Sequence, residues 1–83
     1  MVSQINPQYL ATFTMMAFER DQAQLEVDYN KNLSPAGLAD MKKKVADCNT
    51  AIDNFDRVVR IMEGIADDEV IDHTSGFVSK VNP

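Results

Sequence analysis

One cysteine, one histidine and no tryptophan occur in the 83 residues, and these scarcities exclude several kinds of protein at the outset. A lone thiol, Cys48, cannot close an intrachain disulfide. Without a cluster of Cys and His there is no donor set for a structural zinc. No run of about 18 apolar residues is present, so no membrane-spanning helix is expected. Nor does a basic stretch precede an apolar one near Met1, and no signal peptide is expected. A lone thiol suits a reducing compartment, so the expected location is cytoplasmic, with a virion component as the other setting that leaves this signature.

Positive charge is also short. Thirteen acids outnumber eight bases, for a net charge of −5. Affinity for nucleic acid and for anionic membrane rests on Lys and Arg contacts, so neither is an expected partner. The imbalance is uneven. Residues 67–83 hold Asp67, Asp68, Glu69 and Asp72 against Lys80 alone, whereas 35–66 balance five acids with five bases.

Glycine and proline number three each, and they punctuate a helical chain. Asn6-Pro7 has the form of a helix start, with a capping side chain followed by a proline whose missing N–H would have no partner there anyway. Ser34-Pro35 repeats the arrangement. The expectation is one domain over 1–83: helix 7–32, turn 32–34, helix 35–65 with Gly64 at or near its end, a short helix near 67–75 and an irregular tail over 76–83. Acids at 67–69 would suit the first turn of that short helix, and Gly76 its terminus. A connection this short makes the two long helices antiparallel neighbours.

The second helix carries the clearest pattern. Leu38, Met41, Val45, Cys48, Ile52, Phe55, Val59, Met62 and Ala66 are spaced alternately by three and four, and every one is apolar. That is the a/d seam of a left-handed coiled coil. The first helix has two tracks: Ala11, Met15, Phe18, Gln22, Leu25, Tyr29, and Tyr9, Phe13, Met16, Arg20, Ala23, Val27. Antiparallel pairing about the turn sets Leu25 near Met41 and Phe18 near Cys48 to Ile52. Large apolar groups gather at the end far from the turn, where Val58, Ile61 and Ile65 form a second stripe that something else must cover. The tail could fold back as a third helix, or two hairpins could pack as a four-helix bundle. The fold class is therefore all-α, an antiparallel two-helix coiled-coil hairpin with a short third helix, assembling into a helical bundle.

Few residues suggest chemistry. Cys48 lies on the seam and reads as a small buried hydrophobe. His73 lacks a partner set for a catalytic dyad. Asp67, Asp68, Glu69 and Asp72 lack the alternating ligands and central glycine of a calcium loop. They are candidates for electrostatic docking of a basic partner. Lys42, Lys43 and Lys44 are what the solvent face of a seam helix requires. Glycine-rich phosphate loops and nucleophile turns are absent, so no cofactor, no metal and no enzymatic activity are expected.

What remains is a non-enzymatic protein that self-associates, a dimer being favoured, and binds another protein as an adaptor, chaperone or inhibitor. In size and shape it resembles small helical-hairpin proteins such as secretion chaperones, phage accessory proteins and plasmid regulators, and no motif selects among them. The candidate surface is the apolar end: Tyr9, Phe13, Met16, Val58, Ile61 and Ile65. Two alternatives are an inhibitor that mimics nucleic acid with its carboxylates and a structural or virion assembly subunit.

Overall fold

In a computed structural model that describes residues 3–81, the chain forms two long helices and a small β hairpin. Helix α1 runs Pro7–Tyr29 and α2 Pro35–Glu63. Both start as their sequences require. The Asn6 side chain accepts the Gln8 N–H at 2.9 Å, and the Ser34 hydroxyl accepts that of Gly37 at 3.0 Å. Helix α1 stops at Tyr29, short of the expected residue 32, because the Asn30 carbonyl oxygen of the side chain accepts the Asn32 N–H and turns the chain. Gly64 ends α2 at φ 68, its N–H returning to the Arg60 carbonyl.

The expected third helix does not form. Strands β1 (Glu69–Ile71) and β2 (Val78–Lys80) pair antiparallel instead, with Ile71 opposite Val78 and Glu69 opposite Lys80. Three local causes favour the strands. The apolar residues Val70, Ile71 and Val78 include β-branched side chains that suit a pleated surface. The Asp72 carboxylate accepts the Thr74 N–H at 2.8 Å and the Ser75 N–H at 3.3 Å, which closes a loop where a helix would have continued. Glu69 turns its carboxylate back onto the Ala66 N–H, so the acids do not cap a new helix.

The hairpin also binds the start of the chain. Gln4 bridges Phe77, Ile5 N–H donates to the Gly76 carbonyl at 2.9 Å, and Val78 N–H donates to the Ser3 carbonyl at 3.0 Å. The tail that was expected to be irregular is thus ordered through Lys80, and residues 82 and 83 lie outside the described range.

Ile5, Phe13, Ile52, Val59, Ile65 and Ile71 form the core at the end far from the α1–α2 turn. Phe13 meets the Phe55 ring edge-on at 5.0 Å. The apolar end is therefore filled by the protein's own N-terminal segment and hairpin. The molecule is elongated, 49 × 25 × 18 Å, because the polar turn end has only two helices to pack.

Gly76 sits where these pieces meet, at φ 81. A Cβ there would lie 3.3 Å from Leu10 Cδ2 and 3.4 Å from Ile5 Cγ1, while one on Gly64 would meet nothing within 4 Å. Gly76→Ala should therefore cost more than Gly64→Ala. The left-handed conformation accounts for about 1 kcal/mol in each, and crowding adds to the first. Urea unfolding of the two variants checks the order, and equal losses would place Gly76 outside the packed junction.

Candidate interaction surfaces

The two tracks of α1 part company in the structure. Tyr9, Phe13, Met16, Arg20, Ala23 and Val27 are buried or half-buried and face α2. Leu10 and Ala17 widen that stripe on one edge and pack against the core. The other track points away. Met15, Phe18, Leu25 and Tyr29 are each between 50% and 74% exposed, and Ala11 and Gln22 are exposed with them. This corrects the expected pairing of Leu25 and Phe18 with α2. At about 100° per residue, the exposed track lies on the side of α1 opposite its α2 contact.

The seam of α2 is deepest at Ile52 and Val59. Leu38, Met41, Val45, Cys48 and Phe55 are half-buried, and Met62 and Ala66 are exposed. The N-terminal segment and hairpin cover the other side of this last stretch, where Glu63 Oε1 accepts the Asn6 N–H and Asp56 and Arg60 meet the hairpin. That leaves Met62 uncovered, together with Val58 and Ile61, the latter 80% exposed.

The six residues expected to form an apolar docking end therefore divide. Phe13 and Ile65 belong to the core, Tyr9 and Met16 pack at its edge, and Val58 and Ile61 are open to solvent. The four acids divide as well. Glu69 is only 7% exposed and accepts the Ala66 N–H at 3.0 Å. Asp72 serves the hairpin loop, and the Thr74 and Ser75 N–H groups hold its carboxyl below the ordinary range. Asp67 is exposed, and Asp68 is exposed with Lys80 Nζ at 3.8 Å.

A polar junction links α2 to the hairpin, and within it only the Asp56–Arg60 pair has a helical spacing, four residues, that the sequence shows. Asp56 accepts from Arg60 Nε at 2.6 Å and lies 2.7 Å from His73 Nε2. An ionised carboxylate can only accept, so Nε2 carries the hydrogen. Arg60 also donates to the carbonyls of Ala66 at 3.0 Å and Glu69 at 2.7 Å, and the His73 ring stacks on Phe13 at 4.1 Å. Burial pushes the Asp56 carboxyl upward, but the His73 and Arg60 hydrogen bonds together outweigh it and hold the group below its ordinary value.

On the α2 side, Met16, Glu19, Lys43, Lys44, Cys48 and Ala51 are among the residues lining an open groove. Cys48 is half-buried at this edge. Lys43 is tied to Asp47 at 2.6 Å, which raises its pKa, so the lysine run is partly neutralised within its own helix. Among the described residues no three His, Cys, Asp or Glu side chains are placed to share a metal ion, and no helix is long and apolar enough to cross a membrane.

The outward track is visible in the sequence as a heptad pattern, which does not by itself give its direction. One signal marked it. Glu19 and Glu26 stand seven apart on one flank, and Asp21 and Asp28 seven apart on the other. Charges on both borders of an apolar stripe are more readily placed around an open face than along a buried one.

No family model matches the chain, and neither does any curated protein or solved structure.

Proposed function

We propose that this chain is a non-enzymatic interaction module that binds another protein along the outward face of α1, as an adaptor, chaperone or inhibitor would. The observation that carries this reading is the heptad track Met15, Phe18, Leu25 and Tyr29, held open to solvent on a helix whose opposite side is already packed. Large apolar side chains repeated at coiled-coil spacing give the hairpin no stability of their own while exposed, and such rows commonly mark binding sites. The flanking acids stand in two columns beside apolar residues. That layout suits a helical partner better than the phosphate-binding groove a nucleic-acid mimic would enter.

The test is a pair of substitutions, Phe18→Ser with Leu25→Ser. Both sites are at least half exposed, so the two changes together should cost about 1–2 kcal/mol, and the variant should stay folded with its thermal midpoint lowered by about 5–15 °C. A protein recovered by affinity capture with the wild-type chain should be absent with the variant. An unchanged set of captured proteins would sink the reading.

Self-association is a second reading, favoured by Val58, Ile61 and Met62, a three-residue apolar stripe on α2 that the hairpin leaves open. Light scattering over a concentration series should then give a mass above the 9.3 kDa of one chain, with Ile61→Glu returning it to that value. A wild-type mass of one chain at the highest soluble concentration would remove the dimer.

A further inference from the structure

Building on the module reading, we infer that the occupant of the outward α1 face is an amphipathic helix of another protein, bearing Lys or Arg on both flanks of its own apolar seam. The inference comes from the border of the face. With Met15 and Gln22 as a positions and Phe18 and Leu25 as d positions, Glu19 and Glu26 fall at e and Asp21 and Asp28 at g. These are the positions that choose a coiled-coil partner and its orientation. All four are exposed.

Within Pro7–Tyr29 the only base is Arg20. It is an f position on the inner side, its side chain one-third exposed, reaching Asp21 Oδ1 at 3.1 Å and Asn49 Oδ1 at 3.3 Å. It tempers one of the four acids. Gln24 donates to Asp28 and Asn30 to Glu26, neutral contacts that leave the negative charge in place. Across the groove from Glu19 stand Lys43, occupied by Asp47, and Lys44, and among the described residues neither forms an ion pair with Glu19.

A second copy of this chain fits the apolar row but fails at the border. In a parallel pair, the g residue Asp21 of one copy meets the e residue Glu26 of the other. In an antiparallel pair that layers Gln22 against Leu25, Asp21 meets Asp28 and Glu19 meets Glu26. Acid faces acid in either orientation, and like charges at these positions repel. The same border disfavours an anionic membrane. A helix with basic e and g positions turns every one of those contacts into an attraction. The polar Gln22 at the centre adds a register constraint, since a buried a-position amide calls for a polar partner.

The test uses the full chain and designed peptides of about three heptads, all with Leu and Ile at a and d and a single Asn opposite Gln22. One carries Lys at e and g, one Gln and one Glu. By fluorescence anisotropy the Lys peptide should bind at least about tenfold more tightly than the Gln peptide, with the Glu peptide weakest. The ranking should compress near 1 M salt, where the screening length falls to about 3 Å. The variant with Glu19, Asp21, Glu26 and Asp28 all changed to Lys should reverse the order and prefer the Glu peptide. Phe18→Ser with Leu25→Ser should abolish binding of both, and the circular dichroism melt of each variant reports whether it is folded.

Equal binding of the Lys and Glu peptides, no binding of the Lys peptide, or a dimer dispersed by Phe18→Ser/Leu25→Ser but not by Ile61→Glu would each overturn the inference. The two levels separate cleanly. If the Lys peptide fails while the Ser variant still loses a captured protein, the module reading stands and the basic-helix inference falls. If the Ser variant loses nothing, the module reading falls.

Discussion

Phe13→Ala should cost this protein a large share of its stability. The ring is fully buried, meets Phe55 edge-on at 5.0 Å and carries the His73 ring on its face at 4.1 Å. Truncating a core phenylalanine costs about 3–5 kcal/mol. At 0.05–0.15 kcal/mol per residue, a chain of 83 residues has about 4–12 kcal/mol in total, so the loss is a large share of the whole. The substitution also removes the surface on which α2, the N-terminal segment and the hairpin converge, so relaxation into the cavity has to move several elements together. Phe18→Ala, five positions along the same helix, should change stability by no more than about 0.5–1 kcal/mol, because that ring is mostly in water already. Urea unfolding followed by circular dichroism measures both. Similar losses for the two phenylalanines would mean that α1 is turned the other way.

The second large effect is at Asp56. Asp56→Asn keeps the shape of the side chain and removes the charge that holds Arg60 and His73. With the Asp56 side chain only 18% exposed and both contacts at 2.6–2.7 Å, the loss at neutral pH should be about 1–3 kcal/mol. The pH dependence identifies the cause. The folded-state pKa of Asp56 lies below its ordinary 3.8, so its contribution is complete above that value and disappears as pH falls through the folded pKa. The wild type and Asp56→Asn curves of stability against pH should therefore be well separated at neutral pH and converge below about pH 3.8. Asp72 is shifted in the same direction, so the variant keeps part of the acid-induced loss. Curves that stay parallel down to acid would show that the Asp56 charge does not lock the hairpin to α2.

The junction also explains how a short hairpin is kept in place. Two strands of three residues cannot stand alone in water. Here Ile71 enters the core, Arg60 donates to the Glu69 carbonyl, and Ser3 to Ile5 pair along the hairpin's other edge. Apolar burial supplies the attraction, while the Asp56, Arg60 and His73 contacts set where the hairpin sits. This arrangement takes up Ile65 from the stripe that needed covering and leaves Val58 and Ile61 outside.

Some of this was legible in advance. The caps at Asn6 and Ser34, the prolines after them and the 3-4 spacing from Leu38 to Val59 are local features, and local hydrogen bonding and helical periodicity determine what they become. Met62 and Ala66, the last two places of the expected seam, are exposed instead. The concentration of the core at the end away from the turn follows from where the large apolar residues lie on two antiparallel helices. The tail reads as a helix in sequence because acids at 67–69 and a glycine at 76 satisfy helix-end rules as well as they satisfy a hairpin. Pairing of Glu69 with Lys80, and of Asp56 with His73, joins residues 11 and 17 apart, and no short-range preference records such partners.

From the sequence by itself came two helices, their starts, the antiparallel hairpin and the apolar end, since each depends on contacts within a few residues or on a fixed helical repeat. Only the tertiary structure decided which track of α1 turns inward. Both tracks are apolar enough to pack against α2, but the one containing Phe13 has Leu10 and Ala17 beside it and can touch α2 and the rest of the core at once. The track containing Phe18 has Thr14, Asp21 and Asp28 in the corresponding places, which add no apolar width to bury, and it faces the solvent.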